Sequence, residues 1–197
     1  VVPRGHADKV FINTAGIGEI PPGIDVSSGN ARPEDLLIVN GHIGDHGMAV
    51  LSRREGLAFT SALTSDSAPL NGLVSDILSA SPQVHVLRDP TRGGVATALN
   101  EIAARSAVGI EIYEPSLPIS PGVKSASEIL GLDPLYVANE GKCLVFVAPG
   151  DADRVLQKMK RHPYGKNAGI IGKATAGHAG RVLLKTRVGG TRILSML

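Results

Sequence analysis

Three short stretches set chemistry-bearing side chains among glycines that let backbone approach a ligand closely. The first is Asp89-Pro90-Thr91-Arg92-Gly93-Gly94, between an apolar run and an Ala-rich one. A strand that delivers a glycine pair to a helix start leaves N–H groups and the positive end of the helix dipole where a phosphate could sit. Arg92 could add a bidentate contact. The same residues also suit a plain turn, with Asp89 or Thr91 capping the helix and the glycines allowing the bend.

The second stretch is Gly41-His42-Ile43-Gly44-Asp45-His46-Gly47, with two imidazoles and a carboxylate in a glycine-permitted turn. Zinc ligation is one reading. Gly44 and Gly47 argue against a regular helix that would align His42 with His46, and no further ligand cluster accompanies them. Capping by Asp45 and hydrogen bonding by His46 is the favoured expectation. The third stretch, Asn139-Glu140-Gly141-Lys142, interrupts two apolar runs, LYVA and CLVFVA. A carboxylate and an ammonium amid apolar strands are costly to bury unless paired or used, and burial would make Glu140 a better base. The competing reading is an exposed hairpin turn, for which Asn and Gly are the usual residues. Cys143 follows inside an alternating strand and reads as a small buried hydrophobe. His6, His85, His162 and His178 are scattered and carry no assignment.

These stretches need elements to position them. An alternating run, KVFINTA from Lys9 to Ala15, reads as a strand; a Gly/Pro-rich linker and the strand LLIVNG follow. MAVLSRREG reads as a short helix after a glycine-rich loop, and PLNGLVSDILSA as a helix with Pro in its opening turn. The strand VHVLR leads through the Asp89–Gly94 turn into the helix VATALNEIAARS. Next come strand GIEIY, helix GVKSASEILG, strands LYVAN and KCLVFVA, helix DADRVLQKMKRH, and strands AGIIGKAT, RVLLKT and GGTRIL. This order predicts an α+β fold, an α/β sandwich whose mixed sheet is covered by helices, rather than a strictly parallel doubly wound sheet.

Composition narrows the partners. The 197 residues are 43% hydrophobic and 19% charged, enough for one large domain or a domain plus a segment. A formal net charge of +2 without a run of like charge, with three Phe, three Tyr and no Trp, argues against nucleic acid. No apolar run approaches the ~20 residues that span a bilayer, and the start is unlike a signal peptide. One cysteine fits a reducing, cytoplasmic setting. Val1 opens with no initiator Met, so a longer protein is expected.

FINTAGIG, GDHG, the segment Ser65–Asn71, LRDPTRGG, LGLDPLYVANEGK and GGTRIL, in that order and spacing, resemble the HypE family of carbamoyl dehydratases in [NiFe] hydrogenase maturation. That family shares a superfamily with aminoimidazole ribonucleotide synthetase and selenophosphate synthetase. The resemblance spans nearly the whole chain and implies a C-terminal half: residues 1–30 as the last strand of an N-terminal domain plus linker, and residues 31–197 as the C-terminal α/β domain. It implies ATP and Mg2+, held mainly by the first half, which converts a carbamoyl group on a C-terminal cysteine to a cyanide. HypF would donate the carbamoyl group, the HypC–HypD complex would accept the cyanide, and the full-length protein would be a homodimer. Glu140 matches the carboxylate that removes the amide proton, with Asn139 and Lys142 shaping its surroundings. Asp89, Thr91, Arg92, Gly93 and Gly94, with Asp45 and His46, would line the nucleotide cleft. The chain closes on Ser195-Met196-Leu197 rather than on that cysteine, so inactivity is expected of it alone. A selenophosphate synthetase relative and a non-catalytic module that docks maturation partners are the alternatives.

Overall fold

A computed structural model of the chain describes residues 15–56 and 63–196. Among the described residues, seven strands form one mixed sheet: β1 (Leu36–Val39), β2 (Val84–Arg88), β3 (Gly109–Tyr113), β4 (Leu144–Val147), β5 (Gly169–Thr175), β6 (Val182–Lys185) and β7 (Thr191–Leu194). Their order is β2-β4-β1-β5-β3-β6-β7. Every neighbouring pair is antiparallel except β3 with β6. The helices are α1 (Asp45–Arg54), α2 (Asn71–Ala80), α3 (Gly94–Ser106), α4 (Pro121–Leu130) and α5 (Pro149–Arg161). The α+β expectation holds.

Why a sheet between two helical layers follows from the central strands. In β1, Leu37 and Val39 join one apolar cluster with Val95, Leu99 and Ile102 of α3, while Ile38 faces the other way onto Leu73 and Ile77 of α2 and Val155 and Met159 of α5. β4 repeats this split, Leu144 and Phe146 on one face and Val145 and Val147 on the other. A strand buried on both faces reads as a continuous apolar run, which is why LLIV and LVFV show little polar alternation. A smaller cluster of Met48, Val123 and Ala126 joins α1 to α4.

Local chemistry sets the helix ends. Ser120 caps α4, accepting from the Val123 N–H at 3.3 Å, Pro121 takes the first turn, and Gly131 closes the helix with φ of 67°. The segment before the sheet is also tied down. Ser106 Oγ donates to Ser28 O at 2.9 Å and accepts from the Ala31 N–H at 3.1 Å, and the Ser27 N–H donates to His85 O at 3.1 Å. Asp35 and His85 form a buried pair at 2.8 Å.

Three expectations need revision. LYVAN is not a strand: Asp133 accepts from the Leu135 N–H at 3.0 Å and starts a 3-10 turn over Pro134–Tyr136. Residues 137–142 then spend their polar groups on neighbouring loops, so no hairpin turn exists at Asn139–Lys142. The helix expected from Met48 begins at Asp45, with Gly47 inside its first turn. The strand expected over Lys9–Ala15 lies outside the described residues apart from Ala15.

Candidate functional site

The loop 137–142 is the meeting point. Asn139 is only 1% exposed, and its amide bolts three segments together. Oδ1 accepts from the Gly44 N–H at 2.8 Å, and Nδ2 donates to Pro90 O at 2.9 Å and to Val137 O at 3.1 Å. The two glycine-containing turns singled out in the sequence therefore touch through one side chain. Glycine is required on both sides of this junction. A Cβ on Gly47 would lie 2.5 Å from Val137 Cγ1, and one on Gly94, whose φ is 63°, would lie 2.5 Å from Leu135 O.

Glu140 itself is exposed; burial falls on its neighbours Asn139 and Gly141. Its N–H donates to Asp66 Oδ1 at 3.1 Å, and Asp66 Oδ2 pairs with Lys142 Nζ at 2.8 Å. The Lys142 and Asp66 side chains are 10% and 5% exposed, so this ion pair is largely withdrawn from water. Asn40 holds the far end of the loop: Nδ2 donates to Gly141 O at 3.1 Å, and Oδ1 accepts from the Cys143 N–H at 2.8 Å. Beside these residues opens a cleft of about 350 Å³ whose walls include His42, Asp45, Asp66 and Lys142.

The structure brings some predicted residues together and separates others. Asp45 lies on the cleft wall, but it does not cap α1. The cap position is Gly44 at φ of 85°, without a side-chain bond, and Asp45 instead accepts from Ser120 Oγ at 3.0 Å. As an acid in the first turn it still suits the helix dipole. His46 Nδ1 and Ser65 Oγ share a hydrogen bond of 2.8 Å. Among the described residues no three His, Cys, Asp or Glu side chains gather as a metal-ligand set. In the other turn neither Asp89 nor Thr91 caps α3, because Gly93, at φ of 74°, occupies the cap. Asp89 pairs with Arg88, whereas Arg92 is exposed without an ion-pair partner among the described residues. Neither lines the cleft.

Cys143 is buried, and burial pushes its thiol up to about 12, which suits a packed hydrophobe and not a nucleophile. Asp66 and Asn40 carried no sequence assignment. Asn40 ends an apolar strand and Asp66 precedes a helix, positions where an ordinary turn or cap residue looks the same. Only their place in long-range hydrogen bonding distinguishes them.

A mixed sheet between helices, with glycine-opened helix starts converging on one loop, defines the class. The chain belongs to the family described as AIR synthase related protein, C-terminal domain, whose sequence model matches residues 32–185. Among its relatives are proteins named carbamoyl dehydratase HypE: one from Rhizobium leguminosarum bv. viciae is 52% identical over 198 residues and one from Rhodobacter capsulatus 49% identical over 197. Each alignment takes in 100% of this chain but only 57% and 58% of the respective relative. The solved structure of E. coli HypE superposes with a TM-score of 0.93 at 43% identity, covering 98% of this chain and 59% of that one. A HypE structure in complex with ATP (TM-score 0.84, 42% identity) covers 87% of this chain and 53% of that one. For a HypE–HypF complex the values are 0.84, 48%, 87% and 56%. Among the described residues, no helix is long and apolar enough to cross a membrane.

Proposed function

We propose that this chain is the C-terminal part of an ATP-dependent carbamoyl dehydratase that prepares cyanide ligands for [NiFe] hydrogenase. The reading is supported by relatives of that name aligned along the whole chain and by an ATP complex of a similar structure. The observation that carries it is the Asn139 junction, which presents Glu140 beside two glycine-opened helix starts.

Dehydrating a carbamoyl group, –C(=O)NH2, to a nitrile requires the loss of both amide protons and of the oxygen. Carbonyl oxygen leaves poorly, and ATP, when bound, supplies the phosphoryl group that makes it a good leaving group. This chain's contribution is the base. Glu140 is exposed and so reachable by a carbamoylated segment, and its carboxylate takes an amide proton as the C–O bond breaks. Asn139 fixes the loop that carries it. Lys142, two residues along the loop, is paired with Asp66 and largely withdrawn from solvent.

Residues for the nucleotide fit in part. α3 begins without a side-chain cap at two positive-φ glycines, and Arg92 beside them, which has no ion-pair partner among the described residues, suits phosphate oxygens. Thr91 and Asp89 border that turn, and on the other side of the Asn139 junction Asp45 borders the cleft while His46 is hydrogen-bonded to Ser65, which lines it. The Mg2+ that accompanies ATP, the boundary near residue 31, and homodimer assembly belong to the same reading, with the cation held by the part of the longer relatives outside this chain. HypF as carbamoyl donor is supported by the complex of a similar structure with HypF, and HypC–HypD is the acceptor the proposal requires.

The test is Glu140→Gln in the full-length protein. Glutamine keeps the shape and loses the base, so ATP should still be consumed in activation while nitrile formation falls by roughly 10²–10⁴-fold. Mass spectrometry of the carbamoylated cysteine reads the loss of water directly. Nitrile formation at the wild-type rate removes Glu140 from the mechanism and leaves a docking module as the better account.

A further inference from the structure

We infer that Asp66 is a positioning residue for Glu140, holding the base-bearing loop from behind through both carboxylate oxygens. The inference rests on the reading of Glu140 as the base. Asp66 lies in the irregular stretch before α2, where no strand pairing or helix cap calls for an acid. It is nevertheless deeply buried, its side chain 5% exposed. A carboxylate withdrawn from water is expensive unless it is compensated, and here one oxygen accepts a hydrogen bond while the other faces an ammonium in an ion pair. Oδ1 accepts from the N–H of Glu140 itself at 3.1 Å, and Oδ2 meets Lys142 Nζ at 2.8 Å.

The two segments are also locked backbone against backbone. A Cβ on Gly141 would lie 1.8 Å from Asp66 O and 3.2 Å from Ala68 N, so only glycine lets the loop lie this close. Asn40 fixes Gly141 O and the Cys143 N–H beyond, and Asn139 fixes the residues before. Between these two amide clamps, Asp66 is the side chain that grips the main chain of Glu140. Without it, Glu140 keeps its carboxylate but loses its fixed place, and Lys142 becomes an unpaired, nearly buried cation that is driven to move. A displacement of about 1 Å in a catalytic group can cost roughly 10²-fold in rate.

The test compares Asp66→Ala, Asp66→Asn, Glu140→Gln and the double variant Asp66→Ala/Glu140→Gln in the full-length protein, reading nitrile formation on the carbamoylated cysteine and the KM for ATP. Asp66→Ala should lower kcat by roughly 10²-fold with the KM for ATP unchanged. Asp66→Asn keeps an acceptor for the Glu140 N–H and should recover part of that loss. The double variant should be no slower than Glu140→Gln alone, because both changes act through one group. Thermal unfolding monitors the fold, and if Asp66→Ala does not fold, the near-isosteric Asp66→Asn takes its place in the cycle, with a reduced kcat at unchanged KM expected. Losses that multiply in the double variant, an Asp66→Asn protein no faster than Asp66→Ala, or wild-type kcat from the Asp66 variants beside a slow Glu140→Gln, would each overturn the positioning role alone. A fast Glu140→Gln overturns the role of the base, and the positioning role with it.

Discussion

Cys143 sits one residue from the Lys142–Asp66 pair, yet its thiol is shut inside the sheet with its N–H tied to Asn40. Burial raises the thiol from an ordinary 9.0 to about 12, so it stays protonated and unreactive through the neutral range. The native protein should resist iodoacetamide at pH 8 and become alkylated only with denaturant, which peptide mass mapping reads. The same shift has a sign for stability. Above pH 9 the unfolded chain releases the thiol proton while the folded chain retains it until about 12, so the contribution present below pH 9 is progressively lost across that window. Denaturant titrations at pH 8 and pH 10.5 should therefore show a smaller alkaline loss for Cys143→Ala than for the parent, and equal losses would refute the burial. At this scale the sequence was partly legible. An alternating strand announced that Cys143 was buried, and the awkward carboxylate in NEGK drew attention to position 140. It could not announce Asp66, because a buried acid is recognised by the distant N–H and ammonium that satisfy it.

Elements carried their own signals where side chains fold back on nearby backbone. Ser120-Pro121 and Gly131 bracket α4 in sequence and in space, and the strand VHVLR stands where it was read. LYVAN failed because apolar residues at near-alternate positions suit a strand or a buried extended segment equally, and what decides is the capping bond from Asp133 and the lack of a strand to pair with. GDHG failed in part because glycine's cost inside a helix is small beside the packing it permits: Gly47 lets α1 lie on Val137 and Ala138. Such close approach gives a graded prediction. Gly94→Ala forces a side chain into φ of 63° and sets its Cβ 2.5 Å from Leu135 O, a combination that should destabilise by about 2–5 kcal/mol. Gly150, in the first turn of α5, has nothing within 4 Å of its would-be Cβ, and alanine there should stabilise by about 0.5 kcal/mol through lost unfolded-state freedom. Equilibrium denaturation of the two variants checks both signs, and comparable effects would mean that the α3 start tolerates movement of the 134–137 turn.

Across the whole molecule the sheet ends in two unlike edges. β7 has β6 as its one strand neighbour in the sheet, three of its four residues are exposed, and Ile193 presents 53% of its surface to solvent. Its far end is better held, with Leu194 buried and its carbonyl accepting from Asn100 Nδ2 at 3.0 Å. At the opposite edge Val84, His85 and Val86 of β2 are buried, and the irregular segment before the sheet gives one of its N–H groups to His85 O. His85 is further pinned by Asp35, whose carboxylate also accepts from the Arg32 N–H at 2.8 Å. A covered edge and an open edge should open with different free energies, since local stability follows buried apolar contact and shielding of backbone bonds. Native-state hydrogen exchange with mass spectrometry resolves them. Peptides from β1 and β5 should exchange only with global unfolding and grow more labile with added denaturant. Thr191–Ile193 should exchange through local opening that denaturant scarcely changes, while β2 should follow β4. Exchange in β2 as fast as in β7 would show that the Asp35–His85 pair and the segment at Ser27 shield nothing, and would move the cooperative unit inward to the strands that Asn40 and Cys143 flank.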